Sequence, residues 1–195
     1  MTNALSHHFL SMAYNNAWAN HRLLKACAAL SQADFVAPRT SFFPSIKATL
    51  NHILTVDWFY IDAFERENAR QPANETPMDF FVPEEPFNTV NDVHREQTLA
   101  DRRLIAYCAG LTDDQLQRVV TINRSRTIQR ETRARLLGHV FQHQVHHRGQ
   151  VHAMLAGTPV KPPPLDEFFC TFDTAQRAQD LAEMGLSEAV VWGKT

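Results

Sequence analysis

The chain has 195 residues, 44% of them hydrophobic and 21% charged, with a formal charge of -2. That balance suits one soluble domain with a sizeable core and argues against a dedicated nucleic-acid binder, which carries a basic surplus. No apolar run is long enough to span a membrane, MTNALSHHFL lacks the pattern of a secretion signal, and three scattered cysteines (Cys27, Cys108, Cys170) exclude a disulfide framework. A cytoplasmic protein whose cysteines are small buried hydrophobes is expected.

Residues 3–31 place Leu5, Phe9, Met12, Asn16, Ala19, Leu23 and Leu30 near one face of a 3.6-residue period, which predicts a long amphipathic helix. Its centre holds Asn15, Asn16 and Asn20, poor interior helix formers that suit either a surface or a cross-link between helices. Pro38 and Pro44 bound a loop, and Pro44 is placed as an early residue of a second helix running to about Asn68. Leu50, Ile53, Leu54, Trp58, Ile61 and Phe64 surround much of that cylinder, so it is mostly buried. His52 shares its stripe with Val56, Phe59 and Tyr60. Four prolines (Pro72, Pro77, Pro83, Pro86) keep residues 69–87 out of helix, and Met78, Phe80, Phe81, Val82 and Phe87 predict a loop packed onto the body, able to lid a pocket.

Asn88 is the expected N-cap of a third helix carrying Val90, Val93, Ala100, Leu104, Cys108 and Leu111. Thr112 with Gln115 gives a capping-box pattern, and the alternation between Arg118 and Glu131 predicts a small two-stranded ribbon bending at 123–125. Arg118, Arg124, Arg126, Arg130, Arg133 and Arg135 read as a solvated face. Arginines near a helix N-terminus oppose the macrodipole, so acidic neighbours or an anionic ligand would also account for them. Residues 131–157 form a fourth helix, ended by Gly157 and Pro159, with five of the ten histidines. Phe168, Phe169 and Phe172 are expected to pin the tail, 158–195, whose short helix at 173–184 has Asp173 as cap and Gly185 as stop. With no repeat and no second core, residues 1–195 read as a single domain.

His139, His143 and His147 recur at i, i+4 and i+8, along one stripe of the fourth helix. Imidazoles four apart can ligate one ion together, as in the His-x-x-x-His half of a zincin site. Gln144 stands where a zincin carries its glutamate, so no general base is identified. A third ligand must come from elsewhere. Four long helices describe a four-helix bundle, in which metal sites are built from facing helices, and His52 is the natural candidate. Spacing alone does not choose between the pairs His139/His143 and His143/His147.

The segments YNNAWANHRLL, LNHIL followed by VDWF, HVFQHQVHHRGQVHAML and PPPLDEFF resemble, in order, the signature segments of the DinB (damage-inducible) family. The resemblance implies an all-α four-helix bundle with up-down-down-up connections, a long crossover between helices two and three, and a homodimer. It also implies a divalent metal on His52, His143 and His147, with His139 and His146 outside the set. Relatives in the wider superfamily act as thiol-dependent S-transferases, which suggests a low-molecular-weight thiol as co-substrate. Three neutral imidazoles suit zinc or nickel and leave an open position for a thiol or a water. The 72–87 loop and the 118–135 arginines would then contact an anionic substrate. Arg148 and Gln150 are expected to support the ligands, and Gly149 to allow a close helix contact. The alternative is a non-catalytic protein of stress response or interaction, its bundle stapled by the ion.

Overall fold

The computed structural model describes residues 3–193, and its framework is four long helices. The first, α1 (Ala4–Cys27), is shorter than its periodicity predicts. The chain turns at 28–30, and Ser31 then accepts from Asp34 N to cap a separate short helix, α2 (Gln32–Val36). In α3 (Ile46–Asn68) the cap is Ser45, whose hydroxyl accepts from Ala48 N at 3.0 Å, so Pro44 lies before the cap and not in the first turn. Helix α4 (Val90–Ala109) is capped by Thr89 and not by Asn88: the threonine hydroxyl accepts from Asp92 N at 3.2 Å.

Side-chain pairings give the helix directions. Asp57 meets Gln97 and Glu65 meets Arg103, so α3 and α4 run the same way. Between them the chain must travel back along the bundle, and residues 69–89 do this. A 3-10 turn, Pro77–Phe81, sets Phe81 against Phe59 with ring centres 5.5 Å apart. Further on, Phe87 N donates to Asn51 Oδ1 at 2.9 Å while Asn51 Nδ2 donates back to Phe87 O at 3.0 Å. The loop is therefore pinned, as its composition predicts, although Met78 and Val82 stay exposed.

Thr112 and Gln115 form the reciprocal capping box, and β1 (Val119–Asn123) pairs antiparallel with β2 (Ile128–Thr132). Val120 and Ile122 point into the core. Thr132 closes the ribbon and caps α5 (Arg133–Leu155), which therefore starts two residues later than predicted. The helix also ends without a left-handed glycine: Gly157 is not among the positive-φ glycines. No Cβ at Gly149 would meet an atom within 4 Å, so this glycine serves no close helix approach.

In the tail, Phe168 is the anchor, buried between Trp18 and Trp192 at ring distances of 5.5 and 5.4 Å. Phe169 and Phe172 are exposed, and so is Cys170, whereas Cys27 and Cys108 are buried. Asp173 precedes α6 (Thr174–Glu183) but its side chain caps nothing. Gly185 stops that helix at φ 73°, a value glycine adopts without steric cost. A last helix, α7 (Glu188–Trp192), was not signalled by the sequence pattern and is capped by Ser187. Arg22 ties the tail to α1 through Asp180 and Glu167, each at 2.7 Å.

Candidate metal centre

Helix α5 places His143 and His147 one turn apart, on the side facing α3. Helix α3 runs antiparallel to it, with Glu67 meeting Arg133 at one end and His52 meeting His143 nearer the other. One nitrogen from each of His52, His143 and His147 lies within 4.8 Å of the others. The Nε2 atoms of His52 and His143 are 3.0 Å apart. That is the length of a hydrogen bond between the two rings, and it also falls in the roughly 3.0–3.4 Å that separates two imidazole nitrogens bonded to one zinc at about 2.0–2.1 Å each.

The environment keeps these rings neutral. Burial, then the neighbouring His147, lowers the pKa of His52 to about 4. Burial and the surrounding histidines bring His143 down to about 3. His147 is lowered too, by burial, against a raising hydrogen bond from Gln150. A neutral imidazole is what a metal needs, since the ligating nitrogen must carry a lone pair. Gln150 fixes which one: its Oε1 accepts from Nδ1 of His147 at 2.8 Å, leaving Nε2 unprotonated. The Nε2 of Gln150 in turn meets His146 Nε2 at 3.1 Å. His143 has no such support, for its Nδ1 is buried without a hydrogen-bond partner.

His139 stands apart. Its ring is 6.2 Å from His143 and 5.3 Å from Tyr60, and it does not join the group. A second group, His21, Asp180 and Glu183, has comparable spacing, but Lys25 already supplies its cation, 2.7 Å from Glu183 and 3.5 Å from Asp180.

Loop residue Phe43, which the sequence did not single out, covers the centre with its ring 4.3 Å from His52 and 5.5 Å from His147. The only sequence signal is a Phe-Phe pair before Pro44, in a loop with no period to read. On its other face α5 turns Gln144 and Arg148 into the core. There Arg148 donates to the side-chain oxygens of Asn16, Asn20 and Gln144, and Asp101 accepts from Asn16 and Asn20 at 3.0 and 2.9 Å. The helix-centre asparagines are therefore cross-links, and polar groups this deep are tolerated because they are bonded.

The arginines divide. Arg133 is fully buried against Glu67, and Arg135 pairs with Glu131, which supplies the acidic neighbours an N-terminal arginine needs. Arg124 instead donates to Tyr60 Oη at 2.7 Å and to Gln129 Oε1 at 2.8 Å.

No helix among the described residues is long and apolar enough to cross a membrane. The family model for the DinB family matches residues 1–179. Protein DinB of Bacillus subtilis (strain 168) is 27% identical over 156 residues, covering 77% of this chain and 86% of the relative. With four long helices and three facing histidines already in place, a match over nearly the whole length shows that the chain belongs to the DinB family.

Proposed function

We propose that this chain binds a divalent cation, zinc or nickel, through His52, His143 and His147, and that the bound ion activates a small thiol or a water. The observation that carries this is the donor count. Three neutral imidazoles converge, and among the described residues no fourth His, Cys, Asp or Glu atom joins them. A structural zinc site is closed by four protein ligands, whereas three leave a position for an exogenous group. The ion's contribution when bound is charge, which lowers the pKa of a coordinated thiol or water and yields a nucleophile near neutral pH. The chain's own residues do the rest. Gln150 holds the His147 tautomer, Phe43 shields the ligands from bulk water, and the anchors on α3 and α5 fix the three rings.

The test is elemental analysis of the full chain purified without a histidine tag, followed by cobalt substitution and a small-thiol titration. One ion per chain and a sulfur-to-cobalt charge-transfer band support the reading. An ion present but unresponsive to thiol and to added anions supports a closed, purely structural staple between α3 and α5.

A further inference from the structure

Two unlike surfaces flank the histidine stripe. From His147 to His139 along α5 is eight residues, about 12 Å at 1.5 Å each. At the His147 end Phe43 covers two of the rings, and Phe42 stands edge-on to it at 4.9 Å. Phe42 is 79% exposed, an aromatic ring left in water beside a polar cluster. At the other end His139 packs on Tyr60, whose hydroxyl accepts from Arg124. The Arg124 guanidinium also lies 4.6 Å over the Phe59 ring. Its hydrogen-bond partners, Tyr60 and Gln129, are neutral, and among the described residues it pairs with no carboxylate, unlike Arg133 and Arg135. A half-buried cation held in place by neutral groups keeps its charge available to an anion.

We infer that the ligand of this centre is an organic anion with a flat apolar body. The body lies on Phe42 and Phe43, the anionic group meets Arg124 beside His139, and the donor atom sits between them at the three imidazoles. This rests on the metal-centre reading and adds the substrate class to it. Neither end suffices alone: Phe42 would attract any apolar compound and Arg124 any small anion, while their separation across the histidines selects a molecule carrying both features.

Hydroxamates test this independently of whether the natural donor is a thiol or a water, because they ligate any open position on such a metal. The cobalt-loaded full chain is titrated with acetohydroxamate, benzohydroxamate and succinic monohydroxamate, following the visible spectrum of the ion. Benzohydroxamate is expected to bind about 3- to 10-fold tighter than acetohydroxamate, the range of one good aromatic stacking contact. Succinic monohydroxamate is expected to gain a similar factor that shrinks as salt is added. Phe42→Ala, at an exposed position, should abolish only the first preference, and Arg124→Gln only the second. Equal binding of the three probes by the wild-type chain overturns the inference while leaving the metal centre standing, and so does a variant pair that keeps both preferences. Failure to take up cobalt overturns the metal-centre reading itself, cobalt taken up with no spectral response to any hydroxamate overturns its open position, and either result overturns this inference with it.

Discussion

Asp57 and Asp101, both buried, are bridged by one amide: Gln97 Nε2 donates to Asp57 Oδ2 at 2.7 Å and to Asp101 Oδ1 at 3.3 Å. Arg148 is the cation nearest to both, and burial brings its own pKa down to about 10. Two carboxylates facing one guanidinium leave an excess negative charge in the core. Burial raises Asp57 to about 6, and burial together with Asp57 raises Asp101 to about 7. The pair therefore shares a proton near neutral pH.

The pH dependence follows with a definite sign. An unfolded aspartate titrates near about 3.9, so these raised groups favour the folded state fully below that pH. The contribution is lost as pH rises through the folded values of about 6 and about 7. Asp101→Asn leaves one carboxylate facing one guanidinium and removes the loss. The stability of this variant relative to wild type, measured by urea unfolding of metal-free protein, should rise from pH 4 to pH 8. A difference that stays constant with pH would show that the pair does not hold the extra proton.

Arg148→Met is the converse test. It leaves two buried carboxylates without a cation, and breaking a buried pair in this way costs about 3–5 kcal/mol. The cost should be largest at pH 8 and shrink at pH 5, where both carboxyls can be protonated. Equal destabilisation at the two pH values would assign the loss to packing alone.

His52→Ala and His143→Ala should each abolish stoichiometric metal, whereas His146→Ala, whose ring meets the Gln150 amide and the edge of His147 and is not in the three-histidine group, should retain it. Equal metal content in all three variants would defeat the ligand set. Acid release should also come late. His52 and His143 are held at about 4 and about 3, so protons compete for these nitrogens well below the ordinary histidine value of about 6.5. Metal retained in equilibrium dialysis at pH 5.5 is the expected result.

The long helices were legible because each buries a broad stripe at helical spacing, and the i, i+4 histidines because that spacing alone fixes two rings on one side. His52 was not legible from spacing. Its meeting with α5 depends on a tertiary approach 91 residues along the chain; the four-helix-bundle argument made it the natural candidate, and the family resemblance chose His143 and His147 as its partners. Phe43 was hidden for a related reason, and Arg124 was named but not set apart from the other arginines, since both sit in irregular segments where no period says which side chain turns inward. Asn16 and Asn20 looked equally like surface until Asp101 and Arg148, on two other helices, gave them partners. Gly149 misled because a glycine in a helix invites a packing explanation that the open space around it does not bear out.

That open space makes Gly149 a site for gain. Alanine there meets no atom within 4 Å, and α5 is regular at this point. Gly149→Ala should raise stability by about 0.5–1 kcal/mol through reduced unfolded-state freedom. A drop in the urea midpoint would point to a neighbour that covers this face in solution.

Gln150 separates positioning from ligation. Its amide oxygen accepts from His147 Nδ1, so it acts on the ion only through the ring it orients. Removing such an outer partner typically costs 10–100-fold in metal affinity, about 10-fold being expected for Gln150→Leu because Phe43 and His52 still pack against the ring. Gln150→Glu keeps an acceptor at the same place and should restore or raise affinity. Zinc Kd values from chelator competition decide the matter. If Gln150→Leu binds as tightly as wild type, ring packing alone orients His147, and the hydrogen bond to Gln150 is incidental to the site.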